Sequence, residues 1–335
     1  TLNLFDQNKG QEIHAVEDLG NDDIRVVGPE LVFGRIFDRI GFNQIPESLF
    51  RDLVISRITH PGSKLKLVEY LQENKGQDIS VYSIYRYMDK LSSRYKEQIE
   101  EISFNHTKHV LGNNISIVFY DMTTIYFESS DEDELRVKGF SKDGKHHLPQ
   151  IYLGLLVGVR GYPIGYDIFE GNTFEGHTLI PVLEHFQEKF MLSKPVVIAD
   201  AGLLSKENIA GLTDKGYQYI LGGKPKNEAE QLRLRITERA WKDEQTDEFS
   251  REDDSRLIVG YLSKRAKKDQ ANRERGLKRL EKQLKSKKLT KGQINNRGYN
   301  KYLKLTGDVN ISIDYDKYQA DGKWDGLKGY ITNTT

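Results

Sequence analysis

Residues 116–128 read SIVFYDMTTIYFE, an apolar and aromatic run that carries one carboxylate, Asp121. A second run, KPVVIADAG at 194–202, does the same with Asp200, 79 positions later. Ligands of open α/β sheets gather beyond the carboxyl ends of parallel strands. If these two strands are parallel neighbours, their carboxylates meet at one rim. Neighbouring carboxylates repel and raise each other's pKa, a conflict that a divalent cation removes. All-oxygen donors suit Mg²⁺ or Mn²⁺. Such ions activate a nucleophile and stabilise a leaving oxygen in phosphoryl transfer. A strand-end Asp also commonly caps a helix or opens a turn, and DAGLLSKEN leaves that local role open to Asp200.

Positioning these two residues requires a sheet, and the periodicity after Gly112 supplies one. NISIVFYD (114–121) reads as a strand ending in Asp121. LPQIYLGLLVGVRGYPIGYDIFEGN (148–172) reads as a hairpin turning at RGYP. GHTLIPVLEHFQEKF (176–190) is an amphipathic helix, and 194–202 is a strand ending in Asp200. Ser205 opens a helix that Gly216 closes, and YQYILGG (217–223) is a further strand. A hairpin followed by alternating helices and strands predicts a mixed α/β sheet with helices on its faces. Between Pro29 and Gly112 the spacing is helical instead. Pro29 suits a first turn, Gly41 a stop and Ser80 a cap. The segments around 47–91 fit a helix-turn-helix loosely, with Tyr82, Tyr85, Arg86 and Lys90 available to read DNA or simply to pack.

The 335 residues are 37% hydrophobic and 30% charged, enough for a buried core and more than one domain. There are no cysteines, which excludes disulfides and thiolate metal sites. No apolar run approaches a membrane span, and a cytoplasmic, nucleoid-associated protein is the expectation. The net charge of zero hides an asymmetry. Residues 1–260 carry 31 Lys and Arg against 42 Asp and Glu, whereas 261–335 carry 19 against 8. Most of the excess lies in 261–304, a surface suited to phosphates or a merely solvated helix.

In combination, FYDMTTIYFES, GFSKDGKHHLPQIYLGLLV, GYPIGYDIFEGNTFEGHTL, VVIADAGLLSKENIAGL and YQYILGGKPK resemble the DDE transposases of bacterial insertion sequences, in the IS-four-like group. The resemblance covers about 115–226 and resumes at DYDKYQADGKWDGLKGYITNT (314–334). It implies an RNase H-like mixed sheet flanked by helices, with Asp121 and Asp200 as the first two catalytic, metal-binding aspartates and Mg²⁺ or Mn²⁺ as cofactor. It implies cleavage and strand transfer on double-stranded DNA, namely terminal repeats and target, by a homodimer on DNA. The expected organisation is an N-terminal helical region (1–112), a first part of the catalytic core (113–223), a charged insertion (224–310) and a final core strand (311–335). Candidate DNA contacts are Tyr85, Arg86, Lys142, Lys145, Lys264, Arg265, Lys267, Lys268, Arg275, Lys278 and Arg279.

The family's third carboxylate is a Glu in a helix after the GYITNT strand, and no Glu follows Glu281 here. The expectation is therefore a truncated chain lacking one metal ligand and cutting DNA poorly. Asp314, Asp316, Asp321 and Asp325 read as turn residues. Two other readings stand beside the leading one: a nuclease without strand transfer, and an inactive protein that occupies transposon ends. His146 and His147, adjacent in KDGKHH, point in different directions and read as a loop. GNTFEGHTL (171–179) reads as a substrate-facing turn or a plain helix start, and His177 is not needed as a base. GGKPK lacks the spacing of a nucleotide-binding loop.

Overall fold

The computed structural model describes residues 26–141, 143–286, 289, 292, 294–295, 298–306 and 310–335. They form two compact units that divide at Asn114 and Ile115. The first unit is helical: α1 (Arg35–Ile40), α2 (Ser48–Thr59), α3 (Lys64–Lys75), α4 (Val81–Lys90) and α5 (Lys96–Val110). Local chemistry sets its boundaries. Ser63 and Ser80 accept hydrogen bonds from the backbone N–H groups of Lys66 and Ser83, capping α3 and α4. Gly41, at φ +100°, ends α1 in the left-handed conformation that glycine adopts without strain. Phe37, Phe42 and Phe50 pack ring to ring at 5.4 Å, and Tyr87, Tyr95 and Ile102 complete the core. Arg51 covers the Phe37 ring while pairing with Glu30 and Asp38.

The second unit is built on a sheet. Its strands are β1 (Ile117–Tyr126), β2 (Val137–Lys138), β3 (Pro149–Val157), β4 (Pro163–Glu170), β5 (Val196–Ala199), β6 (Tyr219–Gly223), β7 (Thr246–Ser250), β8 (Arg256–Tyr261) and β11 (Leu327–Thr332). A separate hairpin joins β9 (Leu303–Thr306) to β10 (Asn310–Ile313). The helices are α6 (Leu179–Phe190), α7 (Lys206–Asp214), α8 (Glu230–Thr237), α9 (Ser263–Lys285) and α10 (Tyr315–Gly322). Across the sheet the order is β2–β3–β1–β5–β6–β11–β8–β7, with β4 also on β3. β4, β3 and β1 run antiparallel, and β1, β5 and β6 run parallel. This is a mixed, RNase H-like α/β fold.

One expectation needs correction. The strand bearing Asp121 does not end there: β1 continues to Tyr126 because Thr123, Thr124, Ile125 and Tyr126 keep pairing with β3. The region expected as a charged insertion also holds strands of the main sheet. Its strands β7 and β8 extend the main sheet through β11.

β1 alternates as a half-buried strand should. Val118, Tyr120 and Met122 are buried, and Phe119 and Asp121 face out. Helix α6 presents Leu179, Val182, Leu183 and Phe186 to the core. Helix α9 buries Leu280 against Tyr302, Leu303 and Ile313, and its Gly276 lies against the Tyr299 ring. Arg273 fixes this helix to the start of β11. It pairs with Asp325 at 2.6 Å and lies over the Tyr318 ring at 4.6 Å, while Asp269 accepts the Gly326 N–H.

Asp321 draws in Lys226, Lys301 and Tyr302. Burial works to raise its pKa, but the hydrogen bonds from these three residues overcome that and hold it far below the usual carboxylate range. A depressed folded pKa stabilises the native state above the ordinary value of 3.8, and that gain is lost as pH falls below it. Asp321→Asn is expected to cost about 2 kcal/mol near neutrality. Urea unfolding at pH 7 and pH 3 checks this: the gap between wild type and variant should shrink in acid.

Candidate active site

β1 and β5 pair in parallel register, Ile117 with Val196 through Tyr120 with Ala199. Each pair is separated by 79 positions, and Asp121 and Asp200 are the residues that directly follow its last pair, Asp121 still within β1 and Asp200 just beyond β5. Neighbouring strands lie about 4.8 Å apart. Alternation sends both carboxylates to one face, since Tyr120 and Ala199 are buried and the two aspartates are exposed. β5 ends at Ala199, and β1 runs on beside β3 alone.

Each aspartate uses one oxygen locally. Asp121 Oδ1 accepts the Met122 N–H at 2.8 Å. Asp200 Oδ1 accepts the N–H of Gly202 at 2.7 Å and of Leu203 at 3.3 Å, closing the turn after β5. The local role that the sequence left open for Asp200 is therefore real. It occupies only one of the two carboxylate oxygens, and among the described residues neither Oδ2 takes a hydrogen bond.

A third acidic group stands beside Asp200. A Cβ added to Gly202 would lie 3.0 Å from Asp200 Oδ1 and 3.4 Å from Glu175 Oε2, so both carboxylates flank the bare glycine. Glu175 is held by a short chain of hydroxyls. Tyr120 Oη donates to Thr178 Oγ1 at 2.9 Å, and Thr178 Oγ1 donates to the Glu175 carbonyl at 2.8 Å. Burial, with the nearby charges of Asp167, Glu175 and Asp121, pushes the Tyr120 hydroxyl up to about 12, so it stays a proton donor. Glu175 was missed in the sequence. It sits in a single 3₁₀ turn, Glu175–His177, where no periodicity marks it.

The two loops at this end of β1 are tied by Gln150. Its Nε2 donates to the carbonyls of Phe140 and Gly171, at 3.0 and 2.6 Å. Lys145 lies in the first loop, its Nζ 5.2 Å from the Tyr126 ring. Lys142 lies outside the described residues. His146 accepts the Ser141 N–H through Nδ1, as expected of a structured loop. Among the described residues no group of three His, Cys, Asp or Glu is arranged to hold a metal ion. The donor set at Asp121 and Asp200 is nevertheless the hard-oxygen kind that Mg²⁺ or Mn²⁺ takes, completing its shell with waters.

The proposed DNA-contact residues divide between the two units. Tyr85 and Arg86 are exposed on α4, and Tyr82 more so. On α9, Lys264, Lys267, Lys268, Arg275, Lys278 and Arg279 are all exposed, together with Lys282 and Lys285. At 3.6 residues per turn these eight fall within an arc of about 120°. The stripe runs roughly 32 Å along the helix. Arg265, at its flank, pairs with Asp269 at 3.5 Å. The buried face of the same helix is the one fixed through Asp269 and Arg273 to the start of β11. β11 pairs with β6, and β6 with the strand that carries Asp200.

The mixed sheet is the RNase H-like fold described above. A sequence profile of the transposase DDE domain matches residues 112–311, and the chain belongs to that family. No curated protein matches it. Among solved structures, a piggyBac transposase synaptic complex with hairpin DNA matches at 9% identity and a TM-score of 0.32, covering 51% of this chain and 38% of that one. A Mos1 transposase paired-end complex with the left transposon end matches at 12% and 0.23, covering 50% and 56%. A Mos1 mariner paired-end complex with Mn matches at 12% and 0.21, covering 47% and 54%. The match thus spans well under two thirds of each of those chains. No helix among the described residues is long and apolar enough to cross a membrane.

Proposed function

We propose that this chain is the transposase of a bacterial insertion sequence, of the IS-four-like group. In this reading it cuts phosphodiester bonds at the transposon ends and joins the freed strand to target DNA. The observation that supports the reading is the parallel register of β1 on β5, whose last pair, Tyr120 with Ala199, is directly followed by Asp121 and Asp200. Their Oδ2 atoms would hold Mg²⁺ or Mn²⁺, while Oδ1 keeps each side chain oriented through a backbone N–H. When bound, such ions activate the attacking oxygen and offset charge on the leaving one.

The partner is double-stranded DNA, both terminal repeats and target, bound by a homodimer that pairs two ends. Duplex is held by phosphate contacts from the α9 stripe, by Lys142 and Lys145, and by Tyr85 and Arg86 of α4. Lys and Arg spaced along one helix face neutralise phosphates without reading sequence.

Incubating the chain with end-labelled duplex carrying the element's own termini, a target plasmid and Mg²⁺ tests this reading. Products joined to the plasmid are expected, in the low yield that the poor cutting expected from the sequence implies. Cut ends without joined products would instead mark a nuclease.

A further inference from the structure

Three carboxylate oxygens surround Gly202. A Cβ on that residue would stand 3.0 Å from Asp200 Oδ1, 3.5 Å from Asp200 Oδ2 and 3.4 Å from Glu175 Oε2. The two side chains come from different elements. Asp200 directly follows β5, whereas Glu175 opens the 3₁₀ turn Glu175–His177 that leads into α6. Like charges this close repel, and a cation or hydrogen-bond donors between them relieve the conflict.

The place of Glu175 is set from beneath by buried groups. Thr178 Oγ1, fully buried, accepts from Tyr120 Oη at 2.9 Å and donates to the Glu175 carbonyl at 2.8 Å. The Met122 sulfur lies 2.9 Å from the same Oγ1. Tyr120 and Met122 are the residues on either side of Asp121. One hydroxyl therefore ties the Glu175 turn to the stretch of β1 that carries Asp121. The Gly202 N–H, which donates to Asp200 Oδ1 at 2.7 Å, holds the other carboxylate of the pair.

From this arrangement we infer that Glu175 is a positioning residue for the divalent ion. It accepts a hydrogen bond from water in the shell of an ion held by Asp200, and Thr178 keeps it in place. The inference rests on the metal-dependent reading of the site. An indirect role agrees with the geometry, since among the described residues no group of three His, Cys, Asp or Glu is arranged to hold an ion directly. Mg²⁺ and its like keep several waters, and each bound water is a donor in need of an acceptor. Partners that act on a metal through its other ligands typically contribute about ten- to a hundredfold in affinity.

The test measures Mn²⁺ binding without DNA, by the electron paramagnetic resonance signal of the free ion. Glu175→Gln keeps the size of the side chain and one acceptor oxygen but removes the charge. It should weaken Mn²⁺ binding by about ten- to a hundredfold, with the melting temperature in EDTA unchanged. Water-proton relaxation per bound Mn²⁺ should also stay at the wild-type value, because no ligand atom leaves the ion. Thr178→Val should weaken binding in the same direction, and Thr178→Ser, which keeps the hydroxyl, should restore it. Wild-type affinity in Glu175→Gln, while Asp200→Asn loses the ion, would overturn the inference and leave the metal reading standing. Unchanged affinity in both Asp121→Asn and Asp200→Asn would overturn the two together. A lowered melting temperature of Glu175→Gln in EDTA would make Glu175 a support of the fold, and a rise in its relaxation per ion would make it a direct ligand. Either result contradicts the inference.

Discussion

Asp121→Asn and Asp200→Asn are each expected to abolish Mg²⁺-dependent cutting, with single-turnover rates falling by about a thousandfold or more. The magnitude follows from the several kcal/mol of charge stabilisation that bound divalent ions supply, at 1.36 kcal/mol per decade of rate. Asn retains an acceptor where Oδ1 stands. The bond from the Met122 N–H and the turn closed at Gly202 and Leu203 should therefore survive. The anionic Oδ2 is what disappears. Thermal unfolding of both variants should stay within about 1 kcal/mol of wild type, because exposed substitutions that keep their local hydrogen bond seldom cost more. A variant that cuts at near wild-type rate would remove Asp121 or Asp200 from the chemistry.

The second large effect is electrostatic. Changing Lys268, Arg275, Lys278 and Lys282 together to Glu reverses the middle of the α9 stripe without touching the buried face that carries Asp269, Arg273 and Leu280. Each phosphate contact contributes close to −0.9 to the slope of log K against log salt. Losing four should flatten that slope by about 3.6 and lower duplex affinity at 0.1 M salt by roughly a thousandfold. Fluorescence anisotropy across a salt series measures both. The fold should hold, because a solvated helix face tolerates either sign and Arg273–Asp325 keeps the helix seated. Affinity and slope indifferent to the four changes would make α9 a merely solvated helix. Tyr85→Ala and Arg86→Ala on α4 offer an independent comparison.

Much of the sheet-bearing second unit was legible because its local signals agree with its packing. The β-branched runs before Asp121 and Asp200 became a parallel pair within the sheet. Ser80 and Ser205 cap helices as their positions suggested. What stayed hidden had no periodic signature. β1 runs past Asp121 because β3 is long enough to keep pairing with it, which is a property of the partner strand. β7 reads as a charged segment because it is an edge strand with only Phe249 buried. Gln150 is a buried polar residue within an apolar strand, and its role emerges only when two distant loops arrive at its amide. Glu175 likewise becomes an acidic neighbour of Asp200 only in three dimensions.

The most direct test of the central claim is anomalous diffraction from crystals of the chain grown with Mn²⁺. The expected result is a manganese peak about 2.1 Å from Oδ2 of both Asp121 and Asp200. Manganese bound only elsewhere at saturating concentration, with both aspartates uncoordinated, would contradict it.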